Sequence, residues 1–596
     1  MAFQNHVLVN NKNKGYRFKS ILMTTNNKQF KIMKTRILFF LMTSLASFAQ
    51  YNFEQLSINA GSSSGLPRYL TLFNNELYFS GTSSQFSTEL WKTDGTVAAT
   101  IQVADIHSGF QGSFPADFKE FNGFLYFTAN VSGTTGRELY RTNGTTTSLF
   151  KDFNIGSETS FDQGLNSHKF IILNNRMYFF AREDSSGYDL WRTDGTIAGT
   201  EKMIELNSFA LGTQDYFFES NGELFFVMDD ENENTIGSEL YKYNEATNTV
   251  TLVKDINPSN SNTSVIHITN ITNFDNKLFF SANNGTGTKL YVTDGTDIGT
   301  YPIENTVLLN YFNPRKLFVY NNELYFIATT TALGTDLYKC KKNLSDIYEI
   351  ELVYNFNVNG NNNLNPFNLA NVNDYIIFNN QLHFVAREQN APNNGLIYQI
   401  YKTNGTPQTT EIAFNISVSD VGTTSGNNIH NFVIYNGKLF FMMNGINMPN
   451  EQLCVANAET NTITRLTSFS GPQTQPQGLR PDIKPILYTN SLFFTGTTSV
   501  NGDELWKMTD TVLSNGFDFK LVNIKIYPNP TKDFVNIDIE NTNYFEANLY
   551  DLKGTRLNSF SNQRTIDISY LPQGIYLLKV EIEDKNQVQS FKLIKK

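Results

Sequence analysis

The sequence predicts an all-β chain: a single large β-propeller of eight or nine four-stranded blades, closed by its N-terminal strand and followed by a small Ig-like β-sandwich. Three observations predict it. Nine segments of the type Asn-x-x-Leu-aromatic-Phe recur, with first polar residues Asn74, Asn122, Asn174, Asn221, Asp275, Asn321, Asn379, Asn436 and Thr489, at spacings of 46 to 58 residues. That is the period of a propeller blade rather than of a helical repeat. Phe (50) and Tyr (29) together outnumber the 46 Lys and Arg, and charged residues are only 17% of the chain. Such a composition favours strands and excludes a charge-rich disordered chain. Finally, 596 residues are too many for one compact globule unless it is a barrel, propeller or repeat array, and two Cys exclude a disulfide scaffold.

The elements follow in chain order. Residues 1–49 hold eight basic residues and no acidic one. From Met33 the order is a basic start (Lys34, Arg36), an apolar run Ile37 to Leu45, and Ser47-Phe48-Ala49 with small residues at the −3 and −1 positions. That pattern predicts a signal peptide over 33–49, cleaved between Ala49 and Gln50, with 1–32 an untranslated or disordered extension and translation starting at Met33. The apolar run is too short to span a bilayer and no later stretch is longer, so no transmembrane helix is expected.

Residues 50–510 carry the repeat. Each Leu-aromatic-Phe strand, such as Leu77-Tyr78-Phe79 or Leu324-Tyr325-Phe326, is followed by a second element. It is clearest as Glu89-Leu90-Trp91-Lys92-Thr93-Asp94-Gly95-Thr96, at Asp189 to Thr196 with Trp191, Asp194 and Gly195, and at Lys289 to Thr296 with Asp294 and Gly295; weaker copies begin at Glu138, Glu239, Asp336, Gln399, Gln452 and Glu504. All three Trp (Trp91, Trp191, Trp506) take the same place in it. The Asp-Gly pair reads as the positive-φ turn of a tight hairpin, and a further strand follows, as in Thr100 to Ile106. The ninth unit lacks a convincing fourth strand, whereas Phe53 to Ile58 begins the chain as a spare one, so the N-terminal strand is expected to complete the last blade and leave no free edge. The element at Glu89 to Thr96 resembles the ELWxxDGT repeat of secreted proteins from Bacteroidetes-type bacteria, over roughly Asn52 to Thr509; that resemblance implies no defined activity. Unit eight departs most, with Cys454 in the Trp place.

Residues 511–521 read as a linker, and 522–596 change pattern: Tyr527-Pro528-Asn529-Pro530, strand Phe534 to Glu540, an Asp-x-x-Gly turn at Gly554, strand Thr565 to Ile568, Leu571-Pro572-Gln573-Gly574-Ile575-Tyr576, and the terminal Lys595-Lys596. Short alternating strands separated by turns suggest a β-sandwich. These motifs resemble the type A C-terminal sorting domain of the type IX secretion system. The resemblance implies the type IX translocon and a sortase-like peptidase as partners, with the protein released or attached to the outer-membrane surface.

The net charge of −10 averages unlike parts. Without residues 1–49 the chain has 38 basic against 56 acidic residues, and the propeller alone carries 27 against 47. A nucleic-acid partner is therefore not expected. The six His are scattered without zinc spacing, and His383 takes a packed aromatic's place. Asp94, Asp194 and Asp294 could ligate calcium, although Asn143 and Asn404 at equivalent positions favour a turn role. Cys340 and Cys454 fall in non-adjacent blades, against a disulfide. No catalytic, cofactor-binding or metal site is assigned. The expected function is a secreted or cell-surface binding or adhesion scaffold for a polysaccharide or protein, its ligand on the Gly/Ser/Pro segments between units such as Ser108 to Pro115 and Asn257 to Ser264. The alternative is a polysaccharide-degrading hydrolase or lyase, with acids such as Asp229 and Asp230 converging at the channel mouth.

Overall fold

The computed structural model describes residues 51–596 apart from 59–63, 84–86, 162–169, 186, 209–216, 230–237, 259–270, 305–310, 331, 357–366, 368–374, 388–396, 415, 417–427, 446–447, 459, 470–477, 481, 499–501, 512–523, 540–544, 552–555, 562 and 583–586. The predicted signal peptide with its Ala49–Gln50 junction, nearly all of the linker, and Gly554 thus lie outside the described residues. Among the described residues the chain is all β, without an α-helix. It divides into two compact units, one over Phe53–Thr509 and one containing Asp510–Lys596.

In the first unit each repeat folds as an antiparallel meander. The first is Arg68–Phe73, Glu76–Thr82, Thr88–Thr93 and Ile101–Ala104, paired in that order, and six further repeats make four-stranded sheets of the same kind. The eighth and ninth repeats differ. The short strand Gly478–Leu479 bridges Met448–Asn457 to Ser491–Thr498, so these two repeats share one nine-stranded sheet. In the ninth repeat, Tyr51–Leu56 pairs with Gly502–Asp510 and supplies the fourth strand from the other end of the chain.

The nine Asn-like residues that mark the repeat are turns rather than strand starts. Asn74 and Asn75 have φ of 49° and 59°, Asn122 and Gly123 47° and 78°, and the pattern holds through Thr489 and Asn490 at 45° and 53°. Two consecutive positive-φ residues between directly paired strands, as between Phe73 and Glu76, are the type I′ hairpin that suits the twist of the flanking strands. Asn and Gly reach this region at least cost, which is why the repeat keeps them.

The second strand is apolar without alternation: Leu77, Tyr78 and Phe79 are all fully buried, as are Leu125, Tyr126 and Phe127. A strand covered on both faces needs such a run, and both covers are present. One apolar cluster joins the first and second sheets (Phe73 and Tyr78 with Phe118 and Phe127), the next joins the second and third (Tyr126 and Phe153 with Phe179 and Trp191), and the succession continues through the seventh and eighth. Trp506 of the ninth meets Phe469 of the eighth at 4.9 Å. A further cluster places Phe493 and Leu505 of the ninth sheet against Leu77, Phe79 and Trp91 of the first.

The second unit has a three-stranded sheet (Ile524–Tyr527, Phe534–Ile539, Thr565–Asp567) and a four-stranded one ordered Arg556–Ser561, Glu546–Tyr550, Gly574–Ile582, Gln587–Lys595. Val535, Ile537 and Ile566 of one share a core with Leu549, Leu578, Val580 and Leu593 of the other. Phe534–Ile539 alternates buried and less buried residues, as a sheet with one covered face does, whereas Ala547, Asn548 and Leu549 are all buried in Glu546–Tyr550.

Candidate functional site

In the C-terminal unit the predicted sorting residues converge although they are about 70 residues apart in sequence. Asn529 Nδ2 donates to the Lys592 carbonyl at 2.7 Å while its Oδ1 accepts from Ile594 N at 2.8 Å, so one side chain pairs with the last strand as a backbone would. Thr531 N donates to Ile594 O at 2.9 Å and Lys596 N to Thr531 O at 2.8 Å, which covers the end of an edge strand. On the other side of that strand Gly574 lies opposite Lys595 and Tyr576 opposite Leu593. Tyr576 is buried, its hydroxyl donating to Pro572 O at 3.0 Å. Tyr527 is 51% exposed. Asn529 and Thr531 after the opening Tyr-Pro, the Gly-x-Tyr segment and the terminal lysines therefore meet at one end of the four-stranded sheet, while Tyr527 ends a strand of the three-stranded one.

In the repeats the signature residues hold sheets together. Each Trp faces the preceding sheet: Trp191 meets Phe153 edge-on at 4.9 Å with the Lys151 ammonium 4.4 Å from its ring, and Trp91 packs in the cluster with Phe493 and Leu505. The Asp-Gly-Thr element corrects the sequence expectation of a tight hairpin. Seven residues, 94–100, separate the strands Thr88–Thr93 and Ile101–Ala104. Asp94 Oδ1 accepts from Thr96 N at 2.9 Å and Thr96 Oγ1 at 2.7 Å, and Thr93 Oγ1 contacts Thr100 Oγ1 at 2.9 Å; Asp194 and Asp294 repeat this. The longer loop follows from those side-chain bonds, which replace a direct backbone reversal. The Thr pair at a spacing of seven, visible in units one, three, five and seven, was the sequence signal for it.

The glycine expectation holds for a second reason besides φ. Gly95, Gly195 and Gly295 have φ of 93°, 95° and 87°. Each also abuts an aromatic tip of the preceding sheet: a Cβ on Gly195 would lie 3.4 Å from the Tyr126 hydroxyl and one on Gly295 3.0 Å from Phe225. Gly195 O in turn accepts from Arg141 at 2.7 Å, and Gly95 O from Lys507 at 2.8 Å.

The acid that opens the same element has a role that sequence reading missed. Glu89 is fully buried and accepts from Ile106 N at 3.0 Å, Ser113 N at 2.9 Å and Ser113 Oγ at 2.5 Å. It thereby fixes the segment leading into the next sheet, including the Ser108 to Pro115 stretch expected to bear ligand. Glu138 does the same with Phe153 N and Ser160; Asp189 with Leu206 N; Asp336 with Phe356 N; Gln399 with Ile416; Gln452 with Phe469. Glu504 takes Ile58 N at 2.8 Å, across 446 residues. Burial pushes Glu138 up to about 8 and raises Glu89 against the pull of its donors. A different buried pair, His430 Nε2 and Glu451 Oε2 at 3.3 Å, is driven by burial to a neutral imidazole and a carboxyl pushed up to about 8.

For calcium, Asp94 Oδ1 is already engaged by Thr96, whose donors hold its carboxyl below the usual range. Asn143 accepts the same two bonds from Thr145 at 3.0 and 2.8 Å without a charge. Among the described residues no three His, Cys, Asp or Glu side chains gather as metal ligands. His383 is buried beside Phe414, and Cys340 and Cys454 are buried free thiols. The Asp229 side chain, Asp230, and residues 259–264 of the second expected ligand segment lie outside the described residues.

Residues 525–596 match the secretion system C-terminal sorting domain, the tail of type IX secretion. The tail marks an exported protein, secreted or attached at the cell surface, and implies interaction with that secretion machinery. No curated protein sequence matches the chain. Among solved structures it is similar to PorZ, a surface component of the type IX secretion system of Porphyromonas gingivalis, at 13% identity over 89% of this chain and 86% of that one, with a TM-score of 0.28. It is also similar to the extracellular domain of a one-component system of B. thetaiotaomicron (10% identity, 92% and 100% covered, TM-score 0.21) and to a prolyl endopeptidase (11%, 70% and 54%, TM-score 0.32). Superpositions this loose bring nothing of those proteins' activities to this chain.

Proposed function

We propose that this exported chain, with its type IX sorting tail over residues 525–596, displays a non-catalytic β-propeller that binds a polysaccharide or a protein at the cell surface or after release. In this reading the nine repeats close into one ring of eight or nine blades, Tyr51–Leu56 completing the last, and the propeller belongs with the ELWxxDGT-repeat secreted proteins. A signal peptide over 33–49 takes the chain through the inner membrane. The Ig-like tail then presents Tyr527 to Pro530, Gly554, Gly574, Tyr576, Lys595 and Lys596 to the translocon and a sortase-like peptidase.

The observation that carries the binding reading is where the repeat's polar residues are spent. The buried acid or amide that opens the element holds the segment leading to the next sheet, the Asp side chain closes its own turn, and the turn glycine carbonyl and the Trp, in the units that have them, contact the preceding sheet. A repeat whose polar signature is structural makes a scaffold, and function then resides in what departs from the repeat. Screening the exported chain on a glycan array, with a turnover assay on the same polysaccharides, tests this. Saturable binding without bond cleavage is expected; cleavage of a bound polysaccharide would replace the reading with the hydrolase or lyase one.

A further inference from the structure

We propose that the end of the repeat unit carrying the type I′ turns docks a peptide segment of a partner protein, one that presents aliphatic or aromatic side chains together with a basic residue. The inference rests on the ring and binding readings above and assigns them a face and a ligand class.

The residue two places before each turn lies on the first strand of its repeat, and it is exposed in eight of the nine repeats. Glu120, Glu219 and Asn273 hold that place in the second, fourth and fifth, so the fold accepts polar side chains there. Leu72, Ile172, Val319, Ile377 and Leu487 nevertheless hold it elsewhere, at 39% to 49% exposure. Four of these belong to the run of repeats from the sixth round to the first, in which the eighth contributes the half-buried Ile434, packed on the same cluster as Ile376 of the seventh. Hydrogen bonds at the turns tie that run together: the Tyr320 hydroxyl donates to Asn380 O at 2.9 Å, that of Tyr435 to Asn490 O at 2.8 Å and that of Tyr488 to Asn75 O at 2.6 Å. The loops between third and fourth strands open at the same end, since in each meander the third strand runs in the direction of the first. Val97, Ile197, Ile298 and Leu344 on those loops are more than half exposed.

Apolar side chains scattered singly over a surface are ordinary, whereas a set gathered at one end marks a contact surface. Chemistry and charge select its partner. Aliphatic side chains carry neither a flat ring nor a hydrogen-bonding group for a sugar, and a peptide supplies the matching apolar side chains. The remaining arc of the same position is acidic. Neither Glu120 nor Glu219 joins an ion pair among the described residues, Glu219 accepting from Gly222 N at 2.8 Å. An anionic lipid surface would meet those carboxylates on a repeat unit with 27 basic against 47 acidic residues. A peptide that sets a basic side chain beside an apolar one complements both arcs at once.

Panning a displayed library of random peptides against the exported chain, and titrating the enriched sequences as synthetic peptides, tests the surface. Sequences pairing Lys or Arg with aliphatic or aromatic residues are expected. Ile377→Asp combined with Leu487→Asp, and separately Glu120→Lys combined with Glu219→Lys, should each weaken them about tenfold with the thermal midpoint retained. Ile155 is 90% exposed and follows the fourth strand of the second repeat, which places it at the opposite end. Ile155→Asp should leave binding unchanged. No enrichment, enrichment of acidic peptides, or binding left undiminished by either pair overturns the surface; if the aspartates lower the midpoint, the charge-reversed pair decides. Vesicles of phosphatidylethanolamine and phosphatidylglycerol that bind the parent and not the aspartate pair would make this a lipid-facing surface and overturn the peptide as its ligand. Glycan-array binding that survives in both pairs, with no peptide enriched, removes this surface and leaves the wider binding reading standing. A parent chain that binds no peptide, protein or saccharide removes both.

Discussion

A carboxylate buried in every other respect is tolerable when backbone donors surround it, and Glu89 shows the arrangement. Gln occupies that position naturally in the seventh and eighth repeats, where Gln399 accepts from Ile416 N and donates to Ile416 O at 2.9 and 3.2 Å. Glu89→Gln is therefore expected to cost about 1 kcal/mol, whereas Glu89→Ala strands the Ile106 and Ser113 donors and costs about 3 kcal/mol, read by denaturant unfolding. Glu138 adds a pH dependence. Its folded-state value, about 8, lies above the ordinary 4.5, so the folded protein holds a proton that the unfolded chain releases. Its contribution is whole below pH 4.5 and is lost as pH rises through 8. The thermal midpoint should fall across that window, and Glu138→Gln should flatten the fall; an unchanged slope would place the charge elsewhere. The place of these acids was visible in the sequence as the first letter of each element. Their role was not, because it depends on a segment some 17 residues later folding back over them.

At the scale of the element, the repeat period and the two kinds of turn were legible, and their geometry was assigned the wrong way round. The Asn positions looked like strand starts and are two-residue type I′ turns, while Asp-Gly looked like the tight hairpin and heads a seven-residue loop. Asp-Gly and Asn-Gly are ambiguous alone, since both supply positive φ; strand register, set by burial on both faces, decides between them. The close approach of each glycine to a neighbouring sheet is a tertiary fact that spacing does not contain. It separates two substitutions. Gly109 has a φ of 101° with open space around it, so Gly109→Ala should cost about 1 kcal/mol from backbone strain alone. Gly405, at 92°, would drive a Cβ into the Tyr325 hydroxyl, so Gly405→Ala should cost about 2–4 kcal/mol. Similar losses for both would mean that the sheet contact contributes little.

For the whole molecule, the two ends of the repeat array meet in one sheet: Tyr51–Leu56 lies beside Gly502–Asp510, with Leu56 and Ile58 buried against Phe493 and Leu505. Removing residues 51–58 should expose that edge, lower the thermal midpoint and cause concentration-dependent association, reversed by adding the peptide Tyr-Asn-Phe-Glu-Gln-Leu in excess. The spare N-terminal strand could be read from the sequence because the ninth unit was one strand short. The bridge between the eighth and ninth repeats could not, since it rests on the two residues Gly478–Leu479 outside the repeat pattern. The tail was the most legible part, because its motifs lie in one short module and its ends converge on one strand. The central claim is that this tail exports the repeat unit for display, and labelling intact cells with an antibody to that unit, for the full chain and for one lacking residues 525–596, tests it most directly. The account predicts surface or medium label with the tail and periplasmic retention without it; equal surface label for both would contradict it.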